Sequence, residues 1–137
     1  MVYRDGVMCS DSQVQSNTLR TGTMKKVLKT KDGWLVGGAG DCNEIQRFFK
    51  WMEGDRNPDE AIKFENMSGI VVNPEGKVFW ADSNLDLYST DVEFAAVGSG
   101  EKLAIGAMAM GASAEEAVRV CIKYDTGCGG KIQKVKL

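Results

Sequence analysis

The chain has 137 residues, 43% of them hydrophobic and 26% charged, which suits one soluble globular core and leaves too little for two comfortable domains. Seventeen basic and 19 acidic residues give a net charge of -2, no global reason for nucleic acid or an anionic membrane as partner. The absence of histidine removes Ser-His-Asp and Cys-His catalysis together with the commonest zinc ligand.

Other functional classes fall away on similar grounds. No apolar run approaches the length of a membrane span, and the opening MVYRDGVMCSD has no uninterrupted apolar region of the kind a signal peptide needs, so a cytoplasmic location is expected. The four cysteines, Cys9, Cys42, Cys121 and Cys128, show no C-x-x-C spacing; free thiols in a reducing compartment are expected, with no metal site and no cofactor.

In chain order, VMCSD reads as a short strand, and KKVLKT, KDG and WLVGG as a hairpin turning at Asp32-Gly33. The period then changes. In DCNEIQRFFKWM, Ile45, Phe48, Phe49 and Met52 fall at i, i+3, i+4 and i+7, the apolar stripe of a helix lying on a sheet, with Asp41 as N-cap and Glu44 as its capping-box partner. GDRNPD is a polar loop. GIVVNPEGKVFWA is a strand, an Asn-Pro-Glu-Gly turn and a second strand, followed by short strands at Leu85 to Tyr88 and in FAAVGSG. GEKLAIGAMAMGASAEEAVRVCIKYD gives two helices, broken at Gly111 and restarted by Ser113 with Glu116 in capping-box spacing. The tail GGKIQKVKL interleaves Lys131, Lys134 and Lys136 with Ile132, Val135 and Leu137, as an edge strand does. Strands, a helix, strands, two helices and a last strand make an α+β pattern without the strict alternation of a doubly wound fold.

Small polar or ionisable residues gather in CSDSQ, and together with glycines in GGAGD, in GSG and in DTGCGG, while KKV supplies a cation. No G-x-x-x-x-G-K-[ST] motif is present, which disfavours ATP. GGAGD stands at a helix N-terminus, where bare backbone N–H groups suit either an anion or a tight strand-to-helix turn.

Taken in order, YRDGVMCSDSQ, MKKV, LVGGAGDC, AVGSGEKLAIGAMAMGASAEEAV and YDTGCGG resemble the proteasome β-subunit and HslV family of N-terminal nucleophile hydrolases, and look most like the short HslV-type peptidases of phages and prophages. The resemblance covers nearly the whole chain. It implies a single domain over 1–137, a four-layer αββα sandwich, and assembly into a homo-oligomeric ring around a chamber in which polypeptide is hydrolysed. In a phage or prophage setting the location would be the host cytoplasm.

By the same resemblance, Asp11 stands beside the nucleophile and Lys26 lowers the pKa of the reacting group. A cation next to a hydroxyl or amine favours proton loss, and a carboxylate holds that cation in place. Gly37 matches the oxyanion-hole glycine, whose N–H is worth roughly 3 kcal/mol of transition-state stabilisation. Leu35, Gly38 and Ala39 would receive the substrate. Ser99 and Asp125 match residues supporting the nucleophile, and Cys128 replaces the serine usual three residues after that aspartate; a thiol is the weaker hydrogen-bonding group.

The resemblance also has departures. The family's nucleophile is an N-terminal threonine, and aligning YRDGV places Met1 and Val2 on the third and fourth residues of its strand. As written the chain holds no nucleophile, and internal Cys9 reads as a core residue. The expectation is therefore either a threonine peptidase whose true start lies upstream or a noncatalytic structural or binding subunit; retention of Asp11, Lys26, Gly37 and Asp125 favours the first. A small-molecule amidase of the same superfamily is the third reading. The short stretch between Met52 and Gly69 argues against the docking surfaces of longer members and puts any ATPase partner in doubt.

Overall fold

The computed structural model describes residues 1–57, 63–82 and 87–137. The amino end forms a tight hairpin of β1 (Val2–Arg4) and β2 (Val7–Ser10). Asp5 and Gly6 both adopt positive φ, 50° and 76°, the turn whose twist matches that of the flanking strands. Flanking this hairpin are β10 (Phe94–Ala96) on one side and β11 (Gln133–Lys136) on the other, giving a four-stranded antiparallel sheet in the order β10-β1-β2-β11. The tail is thus an edge strand, with Lys134 and Lys136 exposed in alternation with half-buried Gln133 and Val135.

A second sheet has the order β5-β6-β7-β8-β9, all neighbours antiparallel: Val27–Lys29, Leu35–Gly40, Met67–Val72, Val78–Ala81 and Leu87–Ser89. The Asn-Pro-Glu-Gly turn between β7 and β8 closes through Gly76 N–H donating to Asn73 O at 2.9 Å. Of the strand expected from Leu85 to Tyr88, the first two positions lie outside the described residues, as does the end of the polar loop after Gly54. A separate hairpin, β3 (Gln13–Ser16) and β4 (Leu19–Thr23), was not expected from the sequence; β4 is exposed along its whole length and carries no apolar alternation to announce it.

Three helices cover these sheets. In α1 (Cys42–Glu53) the buried residues are Ile45, Phe48, Phe49 and Met52, packed with Leu28, Val36 and Val71 of the five-stranded sheet. Asp41 caps it, accepting from Asn43 N and Glu44 N. The expected reciprocal bond from Glu44 is corrected by the structure: its carboxylate accepts instead from Glu65 N at 3.2 Å and Asn66 N at 2.9 Å, tying the helix start to the approach to β7. Helices α2 (Glu101–Ala109) and α3 (Ala114–Tyr124) pack through Ala104, Met108, Ala117, Val118 and Cys121 on Val2, Cys9 and Ala96 of the four-stranded sheet. A third cluster joins Tyr3, Met8 and Ala95 of that sheet to Val27, Leu35, Ile70 and Val72 of the other. The chain is α+β, and among its described residues no helix is long and apolar enough to cross a membrane.

The restart of α3 carries both halves of a capping box: Ser113 Oγ accepts from Glu116 N at 3.2 Å, and the Glu116 carboxylate accepts from Ser113 N at 2.7 Å. Ser113→Ala leaves the Glu116 N–H without that partner, and we expect a loss of about 1 kcal/mol in urea denaturation.

Candidate functional site

The cavity sits where the ends of several elements meet. Asp11 follows β2, Lys26 precedes β5, Gly38 and Ala39 close β6, Ser99 lies between β10 and α2, and Cys128 lies in the turn after α3. All six line one cavity of about 440 Å³, together with Met1. Its walls therefore come from both sheets, and of the six, Asp11, Lys26, Ser99 and Cys128 sit on backbone outside the strand ladders.

Asp11 is the best-anchored charge. Its Oδ1 accepts from Lys26 Nζ at 2.9 Å, and its Oδ2 accepts from Gln13 N at 3.1 Å and Gly129 N at 3.0 Å. Only 7% of the Asp11 side chain and 15% of the Lys26 side chain is exposed, so the ion pair works in a weakly screened setting. The lysine backbone is held as tightly: Lys26 N donates to Gln133 Oε1 at 2.9 Å and Lys26 O accepts from Gly38 N at 3.1 Å. Gln133 also donates to Met24 O at 2.6 Å, so one side chain of β11 clamps both ends of the Met24–Lys26 segment. Nothing in GGKIQKVKL distinguishes that glutamine from an ordinary strand residue, and sequence reading missed it.

On the far wall, Asp125 ends α3 and Cys128 turns back on it, donating from Sγ to Asp125 Oδ2 at 3.3 Å. The Ser99 hydroxyl, the Gly127 N–H (2.9 Å) and the Cys128 thiol together hold the Asp125 carboxyl below the usual carboxylate range, with Ser99 the strongest of the three. The Met1 amine donates to Val97 O at 3.1 Å, and burial lowers its pKa, an effect that the nearby Asp11 charge partly offsets.

The structure therefore brings Asp11, Lys26, Ser99, Asp125 and Cys128 to one region, with Gly38 and Ala39 opposite. Leu35 lies instead in the core between the sheets. Gly37 is buried, and a methyl group built on it would stand 2.7 Å from the Met1 Sδ, so the Met1 side chain covers that face. Because Gly38 N–H points to Lys26 O, just ahead of β5, alternation along β6 turns the Gly37 N–H toward β7. Cys9 is buried in the core, and desolvation pushes its thiol up to about 11. Among the described residues no group of three or more cysteine, aspartate or glutamate side chains gathers to hold a metal ion.

No protein-family model matches the chain, and no curated protein matches it by sequence. Solved structures do. A structure of Thiobacillus denitrificans BPH in complex with epoxomicin superposes with a TM-score of 0.75 at 16% identity, over 99% of this chain and 95% of that one. A second structure of the same protein gives a TM-score of 0.74 at 15% identity over the same shares. At that identity the likeness is one of fold.

Proposed function

We propose that this chain is a proteasome- and HslV-like subunit of the N-terminal nucleophile type, a single four-layer αββα domain that hydrolyses amide bonds of polypeptides with a threonine nucleophile. The observation that carries the reading is the buried Lys26–Asp11 pair, fixed by two backbone N–H groups beside the amino end of β1 and facing the Gly38–Ala39 backbone. The three clusters, helix on sheet, sheet on sheet and sheet on helix, support the four-layer reading, and the fold shared with a protein that binds epoxomicin supports the hydrolase reading.

Strand register supports a nucleophile carried ahead of Met1. Met1 and Val97 form a hydrogen-bonded pair, Met1 N to Val97 O and Val97 N to Met1 O. Continuing β1 by two residues, at about 3.3 Å each, would bring the amino end level with Ser99 by the register that pairs Val2 with Ala96. In the 137 residues no hydroxyl or thiol stands at the amino end, so activity requires a threonine carried ahead of Met1. There Lys26 would favour loss of the hydroxyl proton, Ser99 and Asp125 would steady the amine acting as base, and backbone of the Gly37–Ala39 stretch would receive the oxyanion. A homo-oligomeric ring in the cytoplasm completes the proposal; its regulatory partner, if it is an ATPase, must use surfaces of a short family member.

The test is the intact mass and N-terminal sequence of the polypeptide purified from its own source, with and without epoxomicin. We expect a chain that starts at threonine and gains one inhibitor. A chain beginning at Met1 or Val2 that gains none overturns the peptidase reading and leaves a noncatalytic subunit; cleavage of a small amide by a monomer or dimer points to the amidase.

A further inference from the structure

The mechanism above uses Cys128 only as a neighbour of Asp125 and leaves Cys121 without a role, yet the two thiols converge. Cys121 is on the last turns of α3, and the chain reverses through a turn in which Cys128 N donates to Asp125 O at 3.1 Å. The two sulfurs meet over Gly100, where a methyl group would stand 2.9 Å from Cys121 Sγ and 3.2 Å from Cys128 Sγ. Only a residue without a side chain leaves them that gap. Each thiol has its own acceptor: Cys121 Sγ donates to Gly100 O at 3.3 Å, and Cys128 Sγ to Asp125 Oδ2 at the same distance. A water-sized void bordered by Met1, Asp11 and both cysteines adjoins the main cavity, which Cys128 lines.

We propose that Cys121 and Cys128 form a redox-sensitive dithiol, a modification site that closes to an intramolecular disulfide when a small peroxide enters the cavity. The neighbouring Cys128 side chain brings Cys121 down to about 7, while Cys121, burial and the Asp11 charge push Cys128 up, so Cys121 is the first to give up its proton, leaving Gly100 O, and Cys128 keeps the one it donates to Asp125. In the first step the Cys121 thiolate attacks one peroxide oxygen; the O–O bond breaks, the Cys121 sulfenic acid forms and hydroxide leaves, taking a proton to become water. In the second, the Cys128 sulfur displaces the sulfenic oxygen, which departs as water with the Cys128 proton. Two thiols and one hydrogen peroxide give one disulfide and two waters, each sulfur losing one electron. The other two thiols are placed differently: Cys9 is sealed in the core, and Cys42 opens α1 on the β6 side of the cavity.

The consequence for activity rests on the proposed function, while the bond itself does not. A disulfide has no S–H, so Asp125 loses the donor at 3.3 Å and keeps Ser99 and Gly127. Closing the bond therefore loosens the wall that supports the amine and leaves the Lys26–Asp11 pair in place.

The experiment treats the folded chain with hydrogen peroxide, blocks remaining thiols with iodoacetamide and digests with trypsin. Cleavage at Lys123 separates the two cysteines, so the bond appears as VCIK joined to YDTGCGGK and vanishes on reduction. We expect that linked pair as the main oxidised product, at least tenfold reduced in Gly100→Ala, where the methyl wedges the sulfurs apart, and absent in Cys121→Ser. In the wild-type protein the Asp125 carboxyl, followed by NMR, moves up toward its ordinary value on oxidation and returns on reduction. Recovery of Cys121 and Cys128 both alkylated, or of Cys128 joined to Cys42 instead, overturns the proposal. A linked pair in a protein that never labels with epoxomicin upholds the dithiol and counts only against the peptidase reading.

Discussion

Asp11→Ala is expected to lower stability by about 3–4 kcal/mol, seen as a fall of roughly 10 °C in the thermal midpoint. The loss is large because three donors lose one acceptor at once. Lys26 Nζ is left as an uncompensated charge in a site where little of its side chain reaches water, Gly129 N loses its acceptor, and Gln13 N keeps only the second of its two, Gly129 O at 3.1 Å. The double variant Asp11→Ala with Lys26→Met separates these terms. Removing the ammonium as well as the carboxylate abolishes the uncompensated charge, so the double variant is expected to be more stable than Asp11→Ala alone by about 1–2 kcal/mol, a coupling that urea denaturation of the full cycle measures. Simple addition of the two single effects would show that the pair is not electrostatically coupled and would remove the physical basis for its proposed role.

The second large effect is expected at Phe48. Its side chain is fully buried on α1, lies edge-on to Phe64 with centroids 5.9 Å apart, and presses so close to β7 that a methyl group on Gly69 would stand 2.9 Å from its ring. Phe48→Ala deletes a ring from a site bounded by sheet backbone that has little freedom to collapse, and a loss of about 4 kcal/mol is expected in urea. The damage reaches the cavity as well. Helix α1 begins at Cys42, directly after the Gly37–Gly40 stretch, so loosening its seat is expected to raise amide exchange at Gly38, Ala39 and Gly40 before the four-stranded sheet is affected. Uniform exchange across both sheets would instead show that the helix and the cavity wall do not open together.

What the sequence disclosed, and what it kept back, follows from the range of the interactions. The apolar stripe of α1, the capping box of α3, the Asn-Pro-Glu-Gly turn and the alternating tail are written within a few residues, and each is where it was expected. The swap at Glu44 was not legible, because its donors Glu65 N and Asn66 N lie 21 and 22 positions away, and a carboxylate with more than one eligible donor cannot be assigned from spacing. The β3–β4 hairpin was missed for a different reason: exposed on nearly every residue, it has no buried face to impose a period. Within the site, Asp11, Lys26, Ser99 and Asp125 were found through resemblance rather than through residue chemistry, since a lone aspartate or lysine has the same surroundings in sequence whether or not the fold pairs them. Gln133 and Gly129, which fix that pair from more than 100 residues away, carry no local mark at all.

The place of β1 in its sheet sets an order for making the protein. Val2 pairs on one flank with Cys9, which is synthesised at once, and on the other with Ala96, while the opposite flank of β2 waits for Gln133 to Lys136. At roughly 10 residues per second, about 9 s of translation separate the first hairpin from its β10 neighbour and several more from β11. By then every strand of the five-stranded sheet, and α1 with it, has left the synthetic machinery. The nascent chain thus builds the five-stranded sheet while carrying a two-stranded ribbon whose flanks are a template for other chains, one until β10 emerges and the other until β11 does. Asp11 receives its third donor from Gly129, so the charge pair locks only once a residue 118 positions later has been made.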